Sequence, residues 1–134
     1  MNSTSEDIKE FLLSYGESSG LDLVGDPIYI GDEPTSPINC ITIFDFGGYP
    51  PALGLKDQGY EYPTIQIRVR NKKYLDGIHL AQRIKDALHG QAQITIGGTL
   101  YSVIQCTSGP AHLDWDNNRN ARFFINFNIQ RRAV

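Results

Sequence analysis

Apolar residues alternate with polar ones from Ile65 through Ile67 to Val69, and Thr64, Gln66, Arg68 and Arg70 fill the places between. A period of two predicts a strand with one buried face. The spacing then changes to three and four, at Leu75, Ile78, Ala81, Ile84 and Leu88, which predicts a helix with those residues as its buried stripe and Gly90 just past its end. A strand with one apolar face and a helix with one apolar stripe bury both by packing together, so the stretch Tyr62 to Gly90 is the expected centre of the core.

The flanking patterns extend this picture. Ser3 and Glu6 have capping-box spacing ahead of an Ile8, Phe11, Leu12, Tyr15 stripe, which predicts a first helix ending near Gly16. Leu21 to Ile30 reads as an edge strand weakened by Gly25 and Pro27, and Ile38 to Phe46 as a buried strand. Residues 45–61 carry four glycines and two adjacent prolines and read as a long loop, of a length that compact domains usually reserve for function. Gln93 to Cys106 spells a hairpin turning at Gly97-Gly98. Residues 108–120 read as a second loop, and Ala121 to Arg132 alternates again, with Phe123, Ile125, Phe127 and Ile129 on one face and Asn126, Asn128 and Gln130 on the other. The expected class is α+β: a mainly antiparallel sheet with two helices packed on one face, forming a single domain over residues 1–134.

Composition narrows the function classes. No stretch approaches the ~18 apolar residues in a row that a membrane helix needs, and MNSTSEDIKE has neither the basic nor the apolar region of a secretory signal, so no membrane partner and a cytosolic site of synthesis are expected. Cys40 and Cys106 fall in apolar runs and read as buried thiols. A formal net charge of -3 argues against sequence-specific nucleic-acid binding. The local exception is Arg68, Arg70, Lys72 and Lys73, which predict a small basic corner paired with surrounding acids.

Candidate chemistry is sparse. There is no phosphate-binding glycine loop and no nucleophile elbow. Asp114, Asp116 and Asn118 have the first three ligand positions of a calcium loop, but Arg119 stands where that loop needs glycine and Ile125 where it needs a bidentate Glu. An Asx turn is the expectation there, with His79 and His89 as surface residues and no metal, cofactor or catalytic group. The long loop is different, because Phe46, Tyr49, Leu53, Leu55 and Tyr60 give it an apolar content that a spacer does not need. With Arg68 and Arg70 beside it, this set forms the expected assembly interface, ordered by a neighbour.

The succession of Gly-Gly-Tyr-Pro-Pro at 47–51, YPTIQIRVR running into KKYLDGIHLAQRIKDAL, a hairpin, a D-x-D-N-N-x-R segment and a closing FFINFNIQR strand resembles the tail terminator and minor capsid proteins of long-tailed bacteriophages. The resemblance covers about Ile38 to Arg132. It implies a structural, non-enzymatic virion protein that forms a homo-oligomeric, hexameric ring and caps the major tail tube protein. It also implies a surface for the head-tail connector protein, at the head-proximal end of the tail. Two alternatives stand beside it: a head completion or connector protein, and a small-molecule or RNA-binding module using an open sheet face with Tyr101, Phe124 and Trp115.

Overall fold

The computed structural model describes residues 1–19, 27–49 and 59–133. In chain order the elements are α1 (Thr4–Ser19), β1 (Ile28–Ile30), β2 (Cys40–Tyr49), β3 (Tyr62–Asn71), α2 (Tyr74–Leu88), β4 (Ala92–Ile96), β5 (Thr99–Trp115) and β6 (Ala121–Ala133). The strands form a six-stranded sheet in the order β1-β2-β3-β6-β5-β4. The α+β class is as expected, but the sheet is mixed. β1 runs parallel to β2, while the other neighbours pair antiparallel. The parallel step is made by residues 31–39, which fold back over one end of the sheet and are held there by Arg70, a donor to the carbonyls of Pro34, Thr35, Pro37 and Ile38.

The core follows from the period-two patterns in register. Ile41 pairs with Val69 and Val69 with Phe123, while Ile43 pairs with Ile67 and Ile67 with Ile125, so these two inward rows cross three strands with apolar side chains only. Ile8 and Leu12 of α1 and Leu80, Ala81, Ile84 and Leu88 of α2 join these rows in one buried cluster, which places both helices over the same face. α2 sits rotated from the predicted stripe: Gly77, Leu80, Ala81, Ile84, Ala87 and Leu88 are buried, Ile78 is half-buried, and Leu75 is 65% exposed. The cause is a close approach at Gly77, where a Cβ would lie 2.5 Å from the Phe123 ring, so the helix turns its bare backbone to β6.

The capping box forms, with the Ser3 N–H donating to Glu6 Oε2 at 2.8 Å and the Glu6 N–H to Ser3 Oγ at 3.3 Å. α1 runs past the expected stop at Gly16 to Ser19. The Gly97-Gly98 hairpin is as expected, both residues at positive φ between the Ile96 and Thr99 partners.

Two expected loops are instead partly strand. β2 continues through Asp45 to Tyr49, which pairs with Tyr62 after a bulge, so the start of the long loop is sheet and residues 50–58 lie outside the described residues. β5 runs on to Trp115 against β6, with register shifts between Cys106 and Ser108, Ser108 and Ala111, and His112 and Asp114. Each bulge resets which side chain faces in, and that erased the alternation from the sequence. Of the predicted strand at Leu21 to Ile30, Ile28–Ile30 is an edge strand, and residues 20–26 fall outside the description.

Candidate assembly surface on the uncovered face of the sheet

With both helices on one side, no described helix covers the other side of the sheet, and its rows can be read across the strands. At one end Arg70 and Arg122 share Glu33, at 3.4 and 3.2 Å, and Arg122 grips Asp114 with two bonds of 2.6 and 2.5 Å. The Arg122 hydrogen bond holds the Asp114 carboxyl below the usual carboxylate range, and the same bond raises Arg122. Next to this cage Asp116 accepts the N–H groups of Asn118 and Asn120 at 2.9 and 2.8 Å, the expected Asx turn. Burial would raise its carboxyl, and the donors of Asn120 and Asn118 bring it below its ordinary value. Asp114 and Asp116 are thus engaged with an arginine and with a turn, and among the described residues no group of three His, Cys, Asp or Glu suits a metal ion.

Beyond the cage the face changes character. Arg68 pairs across strands with Thr42 and Phe124, lies 4.9 Å from the Phe44 ring centroid and donates to Gln66 Oε1 at 2.8 Å. The next row is a chain of amides: Gln66 donates to Asn126 at 3.0 Å, and Asn126 to Ser108 at 2.8 Å. Phe46, Thr64, Asn128 and Gln105 follow in register, and Phe46 is 51% exposed. A shallow cavity of about 160 Å³ opens beside Tyr62, Val103 and Gln130, and Arg132 lies 5.7 Å from the Tyr60 ring. From Arg68 to Arg132, β2, β3 and β6 turn aromatic, hydroxyl, amide and arginine side chains outward, with no Lys, Asp or Glu among them. Enrichment in aromatics and Arg with depletion of Lys and carboxylates is the composition of a protein–protein interface core.

The predicted interface residues divide accordingly. Phe46 and Arg68 lie on this face, and Tyr60 sits at its far end beside Arg132. Arg70 is 7% exposed and tied into the cage, so the basic corner expected from Arg68, Arg70, Lys72 and Lys73 is split between two environments. The side chain of Tyr49, and Leu53 and Leu55, lie outside the described residues. The sequence carries only a trace of the amide row of Gln66 and Asn126, in Asn126, Asn128 and Gln130 on the outward face of β6.

The aromatic set that an RNA-binding reading requires does not share a face. Tyr101 is fully buried, its hydroxyl donating to Asp7 at 2.5 Å and accepting from Arg131 at 3.3 Å. Burial, reinforced by Asp7, pushes that hydroxyl well above its ordinary value. Trp115 lies on the helix side, 6.0 Å from Tyr74 and 5.1 Å from His112 between ring centroids. Of the three, Phe124 alone faces the open side, so these three residues do not form one stacking platform.

A family model described as "Bacteriophage tail terminator protein" matches residues 9–132. The chain belongs to this family. Membership carries a structural role in completing the tail of a bacteriophage virion. No curated protein matches the chain. A chain in the solved structure "Virion of native gene transfer agent (GTA) particle" superposes with a TM-score of 0.69, covering 98% of this chain and 96% of that one at 14% identity, so the two share a fold.

Proposed function

We propose that this protein assembles as a hexameric ring on the head-proximal end of the tail tube, stops its elongation and offers its far side to the head-tail connector. The observation that carries the surface assignment is the sheet face that no described helix covers, with Phe46, Phe124 and Arg68 outward and no outward-facing Lys, Asp or Glu between Arg68 and Arg132 on β2, β3 and β6. A growing tube end recruits the next ring of tube subunits. A ring that matches the tube on one side and differs from it on the other therefore ends growth. Contacts made by a preformed ring engage together, so a modest area per subunit suffices for tight capping. Phe46 at the open end of β2, and the pairing of Tyr49 with Tyr62 beyond it, extend the surface along the described part of the stretch 45–61. Assembly takes place in the host cytoplasm and the product is carried in the virion.

The test is complementation of a phage lacking the protein, with tail length scored by electron microscopy. Wild-type protein is expected to restore tails of uniform length joined to heads, and Phe46→Ser combined with Phe124→Ser to leave overlong, headless tubes. Uniform tails with that variant would remove the face from the capping role.

A further inference from the structure

We propose that the open sheet face of one subunit receives the outer side of α1 of a second copy, with Glu6 and Glu10 of one set against Arg68 of the other. The proposal rests on the ring reading above and names the contact that would build it.

The charge on the open face points to its occupant. The chain carries a formal net charge of -3, yet beyond the caged end Arg68 and Arg132 stand on this face without an ion pair among the described residues. Arg132 Nε is buried and has no acceptor among the described residues. Covering such arginines with an apolar surface would strip their water and return nothing, so the occupant that fits brings carboxylates.

α1 supplies them. Ile8 and Leu12 turn into the core, which leaves Glu6, Glu10 and Ser14 exposed along the outer side at spacings of four, flanked by the half-buried Lys9 and Leu13. Glu6 is engaged by the N–H of Ser3, and neither glutamate has an ion pair among the described residues. Because α1 covers one side of the sheet and Arg68 faces the other, the two surfaces look in opposite directions on a single subunit. Open face against open face would set arginine against arginine. Helix against open face joins unlike surfaces head to tail, the heterologous kind of contact that closes into rings.

The experiment is charge reversal read by sedimentation velocity and native mass spectrometry of the full chain, with the circular dichroism melt as a check that each variant folds. Arg68→Glu and Glu10→Arg are each expected to raise the concentration needed for half-assembly by at least about tenfold. The double reversal is expected to recover most of that loss, and added salt to weaken the wild-type multimer. Glu10→Arg changes an exposed helix position, so it keeps the test open if Arg68→Glu fails to fold. A wild-type multimer indifferent to Glu10→Arg overturns the α1 contact while the ring reading stands. Single reversals that dissociate the multimer without rescue by the double overturn the pairing. A wild-type chain that stays monomeric, alone and on tube ends, overturns the ring reading and this contact with it.

Discussion

The two faces of the same sheet obey the same alternation and reach opposite solutions. On the helix side, rows such as Ile43, Ile67 and Ile125 are apolar across three strands and fully buried. On the other side an equivalent row runs Phe44, Gln66, Asn126 and Ser108, its amides bonded to one another between the half-buried Phe44 and Phe124 and the exposed Phe46. The first arrangement gains by leaving water inside one chain. The second bonds its amides to one another and leaves Arg132 Nε without an acceptor among the described residues. A side chain on the covered face should therefore matter to folding, and one on the open face to assembly.

The sharpest break between the faces is expected at Ile67. Ile67→Ala deletes a fully buried side chain at the centre of β3 and should lower stability by about 2–5 kcal/mol in denaturant titration. A loss under about 0.5 kcal/mol would show that the core does not centre on β3.

Tyr101→Phe comes next, at about 1–3 kcal/mol, because it leaves the buried Asp7 carboxylate short of a donor. It also carries a pH signature. The folded state holds the Tyr101 proton more tightly than the unfolded chain does, so this contribution is complete below about pH 10 and is lost as pH rises above that value. The variant should flatten the alkaline limb of the stability profile, and an unchanged limb would contradict the buried hydroxyl.

At Asp114 the sign reverses. Its folded carboxyl is held low by Arg122, so the contribution is present above the ordinary carboxylate value near 4 and disappears as pH falls through the lowered one. The pair is partly exposed, with Asp114 at 43% and Arg122 at 26%, so Asp114→Asn should cost under about 1 kcal/mol at neutral pH and reduce the acid-limb slope. Smallest of all, Phe46→Ser should leave stability within about 0.5 kcal/mol of wild type in the same titration.

The inward faces of β3 and β6 were legible because each keeps one period, both helices because their apolar residues recur at three and four, and the hairpin because Gly97-Gly98 marks its turn. Residues 108–115 were not, since three bulges reset the alternation and Gly109-Pro110 reads as a turn although it lies within a paired strand. The rotation of α2 was hidden for a different reason: a hydrophobicity stripe counts Leu75 and ignores Gly77, while packing against Phe123 rewards the missing Cβ. Composition points to Phe46 and Arg68, which the register sets on the open face, and equally to Arg70, because a sequence shows charge and not the carbonyls of residues 34–38 that absorb it. The amide row needed the register of β3 against β6, which no local pattern contains.

The most direct test of the open face as the assembly surface is hydroxyl-radical footprinting of Phe46, comparing the dilute free subunit with the finished particle. Phe46 is 51% exposed in the subunit, and its oxidation is expected to fall several-fold on assembly while Leu75, exposed on the helix side, serves as the internal comparison. A Phe46 that oxidises as fast in the particle as in the free subunit would contradict the account.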